Sequence, residues 1–128
     1  MLDSATVARL RRHWDEGWNK ADLATIVAPF AADIVFSSPF IGRRTGDPTN
    51  TTLSGYDAVR SYLAESLRDH SDIRYSIGAV HVGNDTLVLV YTCHLPDGTD
   101  LAGADSMRVD AAGKVAEWRC HYPEGSLS

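Results

Sequence analysis

The sequence predicts an α+β fold: a strongly curved antiparallel sheet packed on three N-terminal helices, cone-shaped and open at one end. Two observations carry this. In the first half, apolar residues recur at helical spacing. From residue 73 onward the chain reads as strand after strand, with turns at Gly83-Asn84-Asp85, Pro96-Asp97-Gly98-Thr99 and Ala111-Ala112-Gly113. A sheet that wraps around helices without filling the space between them leaves a mouth suited to a small molecule.

Asp3 or Ser4 caps the first helix, in which Val7, Leu10, Trp14 and Trp18 form one face, and Asn19-Lys20 ends it. Gly17 is an oddity inside it. Asp22 starts a short second helix through Leu23, Ile26, Val27 and Phe30, closed near Pro29. Residues 34–38 form a strand stopped by Pro39. Residues 40–54, rich in Gly, Thr and Arg, read as a long loop of the kind that serves as a lid or binding loop. A third helix runs through Ala58, Val59, Tyr62, Leu63 and Leu67. Strands follow at 73–82, with Gly78 as a bulge, and at 87–95, 101–109 and 114–122. Residues 123–128 form a frayed tail.

The chain has 128 residues, enough for one domain spanning 1–128. A net charge of -5 without a basic run argues against nucleic acid and against anionic membranes. The start, MLDSATVARLRRHW, has no apolar core of a signal peptide, and no stretch reaches membrane-spanning length, so the cytoplasm is the expected location. Cys93 and Cys120 are expected to be reduced, pointing to opposite sides of the sheet. No metal-ligand spacing and no glycine-rich phosphate loop is present, so neither a metal nor a cofactor is expected.

The site reading depends on strand register. With His94 opposite Leu101, Asp105 pairs with Val90. Val88, Val90, Thr92 and His94 then share a face with Leu101, Gly103, Asp105, Met107 and Val109. Trp118, Cys120 and Tyr122 share a face of the last strand, while Arg119 and His121 point away. Asp105 is thus a carboxylate on an apolar face, where it is neutralised, paired or used. The opposite face, Leu87, Leu89, Tyr91, Cys93 and Leu95, needs a cover of its own, which suggests a homodimer through the outer side of the sheet.

The ordered segments W-x3-W, KADLATIVAPFAADIVFSSPF, LSGYDAVRSYL and GADSMRVDAAGKVAEWRCHY resemble the nuclear transport factor 2-like (cystatin-like) superfamily, and within it the SnoaL-like polyketide cyclases and ketosteroid isomerases. They span about residues 4–122. The resemblance implies the cone fold and commonly a dimer. It places Asp105 where isomerases hold a protonated aspartic acid, Trp14 at their oxyanion-hole tyrosine, and Ser38 at their general-base aspartate, a role serine does not fill. In SnoaL-like cyclases the aspartate acts as acid/base near a histidine of the preceding strand, for which His94 is the candidate.

The candidate catalytic residues are therefore Asp105, His94 and Trp14. The candidate pocket wall is Trp14, Trp18, Phe30, Phe36, Ser38, Phe40, Tyr56, Tyr62, Met107, Trp118 and Tyr122, a lining suited to an apolar or aromatic ligand. Arg43-Arg44 is a candidate contact for an anionic ligand, with a solvated pair as the plainer reading. The expected function is a cofactor-free cyclase or isomerase type of enzyme; the alternative is a non-catalytic ligand-binding or dimeric interaction protein.

Overall fold

The computed structural model describes residues 1–127. The chain runs α1 (Ser4–Arg12), a π-helical segment (His13–Trp18), α2 (Leu23–Val27), β1 (Phe30–Ser37), α3 (Pro39–Thr45), β2 (Thr52–Ser54), α4 (Tyr56–His70), β3 (Arg74–Val82), β4 (Thr86–His94), β5 (Asp100–Val109) and β6 (Val115–His121). The six strands form one open sheet in the order β2-β1-β6-β5-β4-β3. All neighbours are antiparallel except β1 and β6, which pair in parallel. The helices pack on one face, and the core lies between, around Leu10, Ile26, Ile34, Val59, Leu63, Leu89 and Trp118.

The starts of α1, α2 and α3 follow from a short polar side chain, whereas α4 begins at Gly55 without one. The Asp3 carboxylate accepts from the Thr6 N–H at 2.7 Å and Asp22 accepts from the Thr25 hydroxyl at 2.8 Å, so each satisfies first-turn donors. Ser38 does the same for α3, its Oγ accepting from the Phe40 N–H at 3.2 Å, with Pro39 in the first turn. The 40–54 stretch is thus not one long loop. It holds most of α3 and the edge strand β2, which pairs Leu53 with Phe36. Phe30 belongs to β1 rather than to a helix, because the chain turns at Pro29 and the Pro29 carbonyl accepts from Val115 N–H at 2.8 Å.

The first helix changes character at His13. One extra residue per turn lets the Asn19 N–H reach the Trp14 carbonyl at 3.1 Å. Gly17 sits at the crossing with α2, where a Cβ would come 2.7 Å from Ile26 Cγ1. Beyond it, Asn19 pairs with β3 through both ends of its amide: its Nδ2 donates to the Tyr75 carbonyl at 2.9 Å and its Oδ1 accepts from the Tyr75 N–H at 2.7 Å. That bridge ties the helical layer to the far edge of the sheet. At the other end, the Arg9 guanidinium donates to the Gly113 carbonyl in the β5–β6 turn.

The β4–β5 register differs by one residue from the sequence expectation. His94 faces Asp100 and Leu89 faces Asp105. The cause is the turn. Gly98 has φ 88°, and the Leu95 N–H donates to the Thr99 carbonyl at 2.9 Å, so residues 96–98 form a three-residue loop with a left-handed glycine. A one-residue slip turns β4 over. Leu87, Leu89, Tyr91 and Cys93 therefore face the helices and are buried, and Val88, Val90, Thr92 and His94 form the outer face. Gly78 lies at a register shift between Ile77 and Ala79, as a bulge.

Candidate functional site

The space between sheet and helices is a cavity of about 910 Å³. Its deep wall is aromatic: Trp14 and Trp18 from the π-helix, Phe36 from β1, Tyr75 from β3, Tyr91 from β4, and Trp118 from β6. Trp14 stacks on Tyr91 with ring centroids 4.7 Å apart, and Phe36 lies 4.3 Å from Trp118. Nearer the mouth are Phe40, Tyr62 and Tyr122, with Arg43 and Arg44 from α3 and Leu127 from the tail.

The π-helix positions two of these rings. His13 is 1% exposed and fully partnered. Its Nδ1 lies 2.8 Å from the Ile26 carbonyl and its Nε2 3.0 Å from Trp18 Nε1. A carbonyl only accepts and an indole N–H only donates, so the imidazole is the neutral Nδ1–H tautomer. Burial pushes it down to about 4. Its role here is to fix Trp18.

Asp105 is also 1% exposed, and it sits just behind the cavity wall rather than in it. The Tyr91 hydroxyl donates to Oδ1 at 3.0 Å and the Trp118 N–H donates to Oδ2 at 2.8 Å. Both donors belong to the wall. Desolvation pushes the carboxyl up to about 7, against the opposing pull of Trp118, Tyr91 and Cys120. Tyr91 is displaced upward by burial and then by Asp105, so it keeps its proton. Indole cannot accept, so of these two partners only the Tyr91 oxygen can take a hydrogen bond from a protonated Asp105. The chain of groups Asp105–Tyr91 then leads from a buried acid to the cavity.

Gly103 makes this possible. It stands opposite Tyr91, and a Cβ there would fall 2.5 Å from Tyr91 Cζ and 2.6 Å from its hydroxyl oxygen. The tyrosine ring lies flat across the β5 backbone and so reaches Asp105. Sequence reasoning missed Tyr91 and Cys93, because the slipped register sent β4's inner residues outward, and Tyr75, because the strand at 73–82 was given no facing. Gly103 within a strand was the available signal, since a strand glycine marks a close approach by a neighbour.

The other expected residues divide clearly. Trp14, Trp18, Phe36, Ser38, Phe40, Tyr62, Trp118 and Tyr122 line the cavity. Met107 is buried in the core and is not part of its wall, while Phe30 and Tyr56 line a separate surface depression. His94 is not near Asp105. It lies on the outer face, its Nε2 2.7 Å from the Ser76 hydroxyl and its Nδ1 2.9 Å from Asp100. Trp14 is 3% exposed, and its N–H has no hydrogen-bond partner among the described residues. Ser38 serves as a helix cap beside Cys120. Cys93 and Cys120 both line the cavity, contrary to the expectation of opposite sides; burial raises both thiols, Cys93 to about 12. Among the described residues, no group of three or more His, Cys, Asp or Glu is arranged to hold a metal ion. Among the described residues, no helix is long and apolar enough to cross a membrane.

A curved open sheet, a helical lid over its concave face and a buried acid beside an aromatic hollow define a small α+β protein of the cone-fold class. The SnoaL-like domain family model matches residues 10–118, and the chain belongs to that family. A SnoaL-like protein of unknown function from Burkholderia thailandensis is 24% identical, with a TM-score of 0.80 over 96% of this chain and 99% of that one. TerC, co-crystallised with polyporic acid, is 16% identical with a TM-score of 0.77 over 97% and 95%. RV0760c from Mycobacterium tuberculosis, in complex with estradiol-17beta-hemisuccinate, is 15% identical with a TM-score of 0.73 over 95% and 96%. A search of curated protein sequences found no match.

Proposed function

We propose that this protein binds an apolar, ring-containing small molecule in the aromatic cavity and acts on it without a cofactor, in the manner of a cyclase or isomerase. The observation that carries the reading is the buried Asp105 carboxyl hydrogen-bonded to the cavity-lining Tyr91 hydroxyl. Tyr91 donates to an oxygen of the ligand as negative charge develops there, and Asp105 replaces the proton from behind. A donor already in place in a dry site stabilises such charge without reorganising. Asp105 thus acts as the acid through Tyr91, not by touching the ligand. TerC and RV0760c, each crystallised with an organic ligand, support a small-molecule role for the cavity.

The test has two parts. Cyclic ketones and quinones are titrated while the fluorescence of Trp14, Trp18 and Trp118 is followed, since all three lie in the wall. Turnover of any binder is then compared in Tyr91→Phe and Asp105→Asn. Each variant should lose on the order of 10²-fold in rate, with binding changed far less. Unaltered turnover in both ends the catalytic reading.

A second reading, a binding protein without catalysis, is favoured by Ser38, whose hydroxyl caps α3 and supplies no general base. It predicts binding in the wild type with no turnover of any bound ketone.

We also infer a homodimer through the outer face of the sheet, with Arg119 and His121 at its margin. That face carries Val88 and Val90, 37% and 38% exposed, the large apolar residues most open to solvent after Met1 among the described residues. Sedimentation velocity should give a dimer that Val90→Lys converts to monomer; a monomeric wild type rules it out.

A further inference from the structure

The two arginines of α3 stand at the cavity mouth, in consecutive positions of the helix's last turn. Each guanidinium faces a ring of the wall: Arg43 lies 5.7 Å from the centroid of Phe40, and Arg44 6.0 Å from that of Tyr62. Rings beneath them hold the groups in place.

Their hydrogen bonding is incomplete. Arg44 donates one Nη to Asp69, but its Nε–H is buried without a partner. That leaves half of a planar fork unused, in a side chain only 19% exposed. Arg43 donates to the Leu127 main-chain carbonyl, a neutral acceptor, and no carboxylate pairs with it among the described residues. Of the acids on other parts of the rim, Asp100 is engaged with His94 and Asp97 with the Thr99 hydroxyl at 2.6 Å, while Asp72 makes no ion pair or hydrogen bond with either arginine. The α3 segment of the mouth therefore carries one guanidinium without a carboxylate and unused donors on both, although four aspartates line the opening as a whole, while the interior is aromatic.

We propose that Arg43 and Arg44 form an anion-receiving subsite at the mouth, so that the ligand is a ring-bearing organic acid. Its ring body lies among Trp14, Tyr91 and Trp118, and its carboxylate meets the arginines at the opening. Guanidinium groups suit this role because their paired N–H donors match the two oxygens of a carboxylate. The carboxylate replaces the Leu127 carbonyl on Arg43 and completes the fork of Arg44. This inference rests on the cavity being a ligand site, as proposed above, but not on any role for Asp105.

The probes are pyrenebutyric acid and pyrenebutanol, which share ring body and tether and differ in charge. Binding of each is measured by fluorescence at low salt to the wild type, Arg43→Gln and Arg44→Gln, with circular dichroism to verify folding. The wild type should prefer the acid by about tenfold or more, as charge-assisted hydrogen bonds to a partly buried anion imply. In each variant the ratio of the two affinities should fall toward one, and in the wild type it should shrink as salt is raised. Equal affinity for the two probes in the wild type, or an unchanged ratio in both variants, overturns the subsite while leaving the cavity reading intact. Binding of neither probe overturns both.

Discussion

At the scale of single residues, the site depends on a side chain that is absent. Gly103 leaves room for the Tyr91 ring against β5, and Trp14 stacks on the ring's other face at 4.7 Å. A methyl at position 103 has nowhere to go unless Tyr91 lifts away from Asp105. Gly103→Ala is expected to destabilise the fold by about 1–3 kcal/mol, through overpacking and a lost buried hydrogen bond. Urea unfolding measures it. In a double-mutant cycle with Tyr91→Phe, the two losses should be less than additive, since both remove the same contact to Asp105. Strict additivity would show that Gly103 acts elsewhere. Asp105 itself was legible from its place in an apolar alternation. Its partner Tyr91 was not, because the expected register turned β4 over and put His94 on the inner face in its place.

At the scale of elements, what the sequence revealed depended on the length of the pattern. The helical spacing of Leu10, Trp14 and Trp18 and of Val59, Leu63 and Leu67 marked buried faces, and all six are buried. The helix over 39–45 was hidden by its Gly and Arg content and its brevity. Its start signal, Ser38-Pro39, was read as the stop of a strand, though serine before proline is equally a cap followed by a first helical residue. The strands of the second half were legible, but their facing was not. Both β4–β5 and β5–β6 turn through a left-handed glycine, Gly98 with φ 88° and Gly113 with φ 80°. Reading Pro-Asp-Gly-Thr as a plain four-residue turn shifts the pairing by one and exchanges the inner and outer sets. The π-helical register of 13–18 carried no pattern that distinguishes it from an ordinary helix. Gly17, packed against Ile26, was its trace in the sequence.

At the scale of the whole molecule, two buried titratable groups oppose each other. Asp105 titrates near 7 instead of 3.8, and His13 near 4 instead of 6.5. The raised acid adds stability that is complete below about 3.8 and is lost as pH climbs through about 7. The depressed imidazole adds stability that is complete above 6.5 and is lost as pH drops through about 4. Between these limits the folded chain keeps the proton on Asp105 and the unfolded chain keeps it on His13. Proton counts match, so this pair leaves stability level there. Urea unfolding between pH 4.5 and 6.5 should therefore expose opposite slopes in single variants, roughly 1 kcal/mol per pH unit. Relative to wild type, His13→Gln should weaken as pH rises and Asp105→Asn should strengthen. Parallel curves for all three proteins would refute the assignment.

The parallel union of β1 with β6 bears on how the chain is made. One edge of residues 30–37 pairs early, with residues 52–54, but the other meets its neighbour only when residues 115–121 exist. On the ribosome, therefore, Phe30 and Phe36 wait through β2, α4 and three further strands for Trp118, the ring that packs against both. Such distant pairing favours slow maturation, and a nascent chain that chaperones have time to find.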